Sequence, residues 1–117
     1  MKAILKTSGH FSSAHHLEGY EGNCANVHGH TWAVKVEVRG DTANLDKIGM
    51  LIDFKKIKKL IDKLDHKDLN KVLVSNPTAE NIAIYLYENL AEIDKTLEFN
   101  VEVFESPESS FKVGDFI

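Results

Sequence analysis

The stretch Cys24-Ala25-Asn26-Val27-His28-Gly29-His30 holds the only cysteine of the chain and two histidines one residue apart. Neutral imidazole is a common ligand for zinc, and a thiolate can serve as metal ligand, nucleophile or base. From His28 onward the residues alternate. His28, His30, Trp32, Val34, Val36 and Val38 share one parity, and Gly29, Thr31, Ala33, Lys35, Glu37 and Arg39 share the other. Side chains on a strand repeat every two residues, so both imidazoles point the same way as the valines. Two histidines side by side at the end of an apolar strand face can chelate a metal.

A metal needs at least one more ligand. His15 and His16 stand nearest in sequence, followed by His10. Three histidines on zinc leave a position open, which is the arrangement of a catalytic rather than a structural site. A lone His-x-His is more often an ordinary pair of surface or core residues. Here five of the six histidines fall between residues 10 and 30, and that clustering favours a metal site. Cys24 lies in a loop rich in Gly and Asn. Most free cysteines are small buried hydrophobes without chemistry. In this polar setting Cys24 could be the base or nucleophile of a catalytic site, or the fourth ligand of a closed one.

Two further places carry polar groups that a fold alone does not require. Asp65-His66 closes the first helical segment, where a histidine is often only a favourable partner of the helix dipole. Glu105 ends an apolar strand face. A carboxylate there either reaches solvent or meets a ligand that offers paired N–H donors.

The elements that must hold these groups follow from periodicity. Residues 2–13 read as a strand with imperfect alternation around Gly9, and residues 28–40 as a second. Asp53 is a good helix N-cap before Phe54, Ile57, Leu60, Ile61 and Leu64, which follow at helical spacing with lysines opposite. A connection with Leu69, Val72 and Leu73 leads to Asn76-Pro77-Thr78. Thr78 is expected to cap a second helix, with Ile82, Tyr85, Leu86, Asn89, Leu90 and Ile93 as its buried stripe. Leu97, Phe99, Val101, Val103 and Glu105 then alternate with polar residues as a third strand. Ser106-Pro107-Glu108-Ser109 turns into a fourth over residues 110–116. The order is β-β-α-α-β-β, an α+β fold in which two helices cover one face of a four-stranded antiparallel sheet. The other face, with Lys35, Glu37, Arg39, Glu98, Asn100 and Glu102, is either solvated or the polar interior of an oligomer.

At 117 residues the chain is expected to form one domain, residues 1–117. An apolar fraction of 43% and a charged fraction of 27% are those of an ordinary globular protein. A net charge of −4 argues against nucleic acid as a partner. One cysteine allows no internal disulfide, and neither a leader nor a long apolar run is present, so a cytoplasmic protein without a membrane partner is expected.

Together these motifs resemble the 6-pyruvoyl-tetrahydropterin synthase family. Phe11-Ser12-Ser13-Ala14-His15, Cys24-x-x-x-His28-Gly29-His30, Leu64-Asp65-His66-x-x-Leu69-Asn70, Asn76-Pro77-Thr78-Ala79-Glu80-Asn81 and Glu105 occur in the family's order and span nearly the whole chain. The nearest likeness is to the 6-carboxy-5,6,7,8-tetrahydropterin synthase branch of queuosine biosynthesis. The resemblance implies the T-fold, Zn2+ held by His15, His28 and His30, and Cys24 as proton acceptor. It implies Asp65 and His66 as relay partners, supplied by a neighbouring subunit. Glu105 becomes the anchor of the pterin ring and part of the relay, and Thr78 lies in the segment that contacts the pterin. The implied substrate is 7,8-dihydroneopterin triphosphate, and the implied assembly is a homo-hexamer of two stacked trimers with sites at subunit interfaces. His16 stands where many relatives carry a basic residue, and Ala79 replaces a hydroxyl residue of some. The motifs leave two other classes open: a non-catalytic zinc-binding module with Cys24 as fourth ligand, and a thiol hydrolase built on Cys24 and His66. Within the family, the pyruvoyl product is the alternative to the carboxy one.

Overall fold

The computed structural model describes residues Met1–Ile117. Four strands, β1 (Lys2–His15), β2 (His28–Asp41), β3 (Glu98–Ser106) and β4 (Ser109–Gly114), form one antiparallel sheet in the order β1-β2-β3-β4. Between β2 and β3 the chain makes helix α1 (Phe54–Asp62), a single turn α2 (Leu69–Val72) and helix α3 (Ala79–Ile93). The expected order is therefore borne out, with α2 added where sequence periodicity gives only a connection. Four residues are too few to show a period.

Local chemistry explains each helix start. Asp53, Asp68 and Thr78 cap α1, α2 and α3, accepting from the backbone N–H of Lys55, Asn70 and Asn81. Ile57 and Ile61 of α1 and Ile82, Ala83, Leu86 and Leu90 of α3 are buried against Phe11, Trp32, Val34, Val36, Val38, Phe99, Val101 and Val103 of the sheet. Gly9 in β1 lets Ile61 approach closely, since a Cβ there would lie 3.3 Å from Ile61 Cδ1. Phe54, expected on the apolar stripe, stays about half exposed at the first turn of α1. No helix is long and apolar enough to cross a membrane.

The strand β1 runs two residues further than its alternation indicates and ends on His15, directly opposite His28. The open face of the sheet carries a charge ladder. Lys112 and Lys6 flank Glu37 at 2.6 and 3.7 Å, and Arg39 grips Glu98 with two bonds of 3.0 and 2.8 Å. Asn100 departs from that polar surface: it is buried, accepts from Phe116 N–H at 3.1 Å and donates to Glu37 at 3.2 Å.

Candidate metal centre

The β1–β2 pairing stacks three layers toward the end of the hairpin. Phe11 faces Trp32, Ser13 faces His30, and His15 faces His28. All six side chains lie on the parity that faces the helices. Phe11 and Trp32 stack with ring centroids 5.9 Å apart and form an apolar floor. The fully buried Trp32 ring stands steeply tilted to the rings of His15 and His30, at centroid distances of 5.0 and 5.4 Å. Above it the rings of His15, His28 and His30 stand 4.5 to 5.0 Å from one another, and one ring nitrogen from each falls within 4.8 Å of the others.

The hydrogen bonds choose which nitrogens face inward. His15 Nδ1 lies 2.8 Å from the Pro77 carbonyl, and His28 Nδ1 lies 2.7 Å from the Asn26 carbonyl. A carbonyl only accepts, so each Nδ1 carries the proton and each Nε2 keeps its lone pair free. His15 Nε2 and His30 Nε2 are buried without a hydrogen-bond partner. Such orphaned atoms are costly unless something coordinates them. Burial lowers the basicity of His15 by more than the bond to the Pro77 carbonyl raises it, with smaller contributions from His28 and His30, and this favours the neutral ring that a metal requires. The donor set, three imidazoles over a buried aromatic floor, fits zinc with a position left open.

The remaining expected site residues surround this cluster unequally. Glu105 approaches it, with Oε1 3.6 Å from His30 Nε2. It stands at a break in the β3–β4 register between Phe104 and Ser106, the kind of irregularity that re-aims a side chain. Cys24 sits half-buried in a one-turn 3-10 helix, Asn23–Ala25, and is outside the ligand cluster. Its carbonyl accepts from Leu17 N–H at 2.8 Å, which ties this turn to the residues after His15. Thr78 uses its hydroxyl oxygen to cap α3, accepting from Asn81 N–H at 3.1 Å. His16 and His10 are not part of the cluster.

Asp65 and His66 lie along the outer edge of β1. Asp65 Oδ1 accepts from Ser12 N–H at 2.8 Å, and His66 N–H donates to the Ser12 carbonyl at 2.7 Å. These bonds hold His66 at φ 55°, in the left-handed region. Its ring, 86% exposed, has Asp65 Oδ2 at 3.4 Å and makes no bond to Cys24. The chain itself therefore does not join Asp65 and His66 to the thiol.

The model of the family described as 6-pyruvoyl tetrahydropterin synthase matches residues 4–115. The chain belongs to that family. Its relatives include the dihydroneopterin monophosphate aldolase of Pyrococcus furiosus, 38% identical over 77% of this chain and 76% of that protein. Another is the 6-carboxy-5,6,7,8-tetrahydropterin synthase of Synechocystis sp., 35% identical over 82% of this chain and 81% of that one. The solved structure of Caenorhabditis elegans 6-pyruvoyl tetrahydropterin synthase superposes with a TM-score of 0.76 at 29% identity, covering 98% of this chain and 96% of that chain. The fold is thus the T-fold of this family, and its named members are enzymes of pterin chemistry.

Two asparagines beside the site have no local signal in the sequence. Asn70 bonds both backbone groups of His16, and Asn76 bonds both of Glu18. Both residues stand inside motifs quoted above, but nothing local in the sequence reveals bonds spanning more than fifty residues.

Proposed function

We propose that the chain is a zinc-dependent 6-carboxy-5,6,7,8-tetrahydropterin synthase that converts 7,8-dihydroneopterin triphosphate, with loss of triphosphate and acetaldehyde. The observation that carries this reading is the cluster of three histidines with one ring nitrogen from each within 4.8 Å of the others, the Nε2 atoms of His15 and His30 buried and unpartnered, with a carboxylate at the margin and a thiol outside the ligand set.

His15, His28 and His30 would hold Zn2+ through Nε2. Once bound, zinc supplies Lewis-acid polarisation of the substrate's side-chain hydroxyls, which acidifies the adjacent C–H bonds. Cys24 takes up the proton removed there. Asp65 orients His66, and His66 of one subunit carries protons to or from the Cys24 of another. The exposure of the His66 ring supports that sharing. Glu105 accepts two N–H bonds from the pterin, a forked contact that fixes the ring's orientation. Its position at the rim of the histidine cluster sets the reacting side chain over the three rings. The Thr78 segment borders the ring, and the Thr78 hydroxyl keeps its own proton to donate.

A second reading has support in the 38% identity to an aldolase acting on dihydroneopterin monophosphate. Retro-aldol cleavage begins instead with proton removal from a side-chain hydroxyl, and the same base and the same metal would serve it. A product assay decides between them. Zinc-loaded protein is offered the triphosphate and the monophosphate separately, and products are read by mass with a parallel aldehyde assay. A carboxylated pterin with acetaldehyde supports the proposal. A hydroxymethyl pterin with an aldehyde phosphate supports the aldolase. A pyruvoyl pterin without aldehyde assigns the activity named for the Caenorhabditis relative. No turnover with zinc bound would overturn both readings in favour of a metal-binding module.

A further inference from the structure

The strand β1 is the edge of the sheet, with no strand on its outer side. Past Ser12 that edge is nevertheless paired at every second residue. Ser12 exchanges bonds with Asp65 Oδ1 and His66 N–H, and Ala14 N–H donates to the Lys67 carbonyl at 3.0 Å. His16 N–H donates to Asn70 Oδ1 at 2.9 Å, and the His16 carbonyl accepts from Asn70 Nδ2 at 3.0 Å. Glu18 N–H donates to Asn76 Oδ1 at 3.0 Å, and the Glu18 carbonyl accepts from Asn76 Nδ2 at 2.8 Å. A primary amide offers an acceptor and a donor side by side. Each asparagine thus imitates one residue of a missing neighbour strand, and each satisfies both backbone groups of its partner.

The placement matters because β1–β2 pairing stops at His15 opposite His28. Beyond that point the outer hold on the chain is the two amides, and the inner hold is the bond from Leu17 N–H to the Cys24 carbonyl. Asn76 also precedes Pro77, whose carbonyl fixes the His15 ring. The Asn76 backbone carbonyl is itself anchored by Asn81 Nδ2 at 2.9 Å.

We propose that Asn70 and Asn76 are positioning residues of the metal centre: by clamping His16 and Glu18 they hold the His15 ring on the Pro77 carbonyl. The proposal rests on the reading of His15 as a zinc ligand. Outer groups that orient a ligand typically account for about 10–100-fold in metal affinity. Asn70→Ala and Asn76→Ala are each expected to weaken zinc binding by about that factor in chelator competition.

A second signal needs no metal. The His15 Nδ1–H, buried against a carbonyl, is expected to give a slowly exchanging ring-proton resonance in the metal-free protein. Either alanine variant is expected to lose that protection. Tyr87→Phe, which removes a hydrogen bond to Asp115 at the far side of the sheet, should lower stability and leave the resonance in place. If an alanine variant does not fold, Asn70→Asp and Asn76→Asp keep the shape but set an acceptor against the partner carbonyl, and are read in the same way. A persistent His15 signal, with affinity within about twofold of the parent, overturns the clamp. A parent that binds no zinc overturns the metal reading instead, and the ring-proton signal then decides the clamp alone.

Discussion

A histidine whose Nδ1 is committed to a carbonyl can offer a metal only Nε2, and His15 and His28 are fixed in that way. Replacing either ring therefore removes a preset ligand. His15→Ala and His28→Ala are each expected to abolish stoichiometric zinc, read by metal analysis of the purified protein. Cys24→Ala should behave differently. Cys24 is outside the ligand cluster, so zinc should remain while turnover falls by about 10²–10⁴-fold, the usual contribution of a general base. Loss of zinc from that variant would instead make Cys24 the fourth ligand. The roles of His28 and His30 are legible from alternation, because a strand turns parity into direction. His15 is not legible in the same manner. Ser13 and Ala14 before it carry no apolar rhythm, so the end of β1 becomes visible only through its pairing with β2.

Among the elements, two glycines separate rigid from yielding surroundings. A Cβ on Gly114 would overlap Asn100 and the Phe99 carbonyl, where β4 closes over β3. A Cβ on Gly40 would meet only the methyl ends of Leu51 and Leu97, at 2.7 and 2.8 Å. Side-chain ends can rotate and strand backbone cannot. Gly114→Ala is expected to cost at least about 1–3 kcal/mol, the range for overpacking, and Gly40→Ala clearly less. Denaturant midpoints compare the two. Acid acts on the ladder of the open sheet face. Hydrogen bonds from Lys112 and then Asn100 hold the Glu37 carboxyl below the ordinary glutamate value of 4.5. The folded state thus binds the proton more weakly than the unfolded state. The resulting stability is present above that value and is lost as pH falls below it. Glu37→Gln should flatten the loss, seen as a shallower fall of the denaturation midpoint in acid. Alternation, turn residues and capping residues make all four strands and both long helices legible. Three features escape: α2 is shorter than any period, Asn100 lies buried among polar neighbours, and Asn70 and Asn76 act across the fold.

For the whole molecule, the exposed Asp65–His66 pair suits the proposal that His66 of one subunit serves the Cys24 of another. Cys24→Ala and His66→Ala proteins, each inactive alone, are expected to regain activity when unfolded together and reassembled. Random mixing would restore roughly a quarter of the sites, since each needs one intact thiol and one intact imidazole from different copies. No recovery, with mixed assemblies verified by mass, would place both groups in one chain. The molecule also carries its own reporter. Trp32 is the only tryptophan, and its ring stands against those of His15 and His30. A paramagnetic ion such as Co2+ entering the cluster would quench the emission of that indole, whereas zinc would leave it bright or shift its colour. Filling of the histidine site can therefore be followed as light from a single residue, in real time and without a substrate.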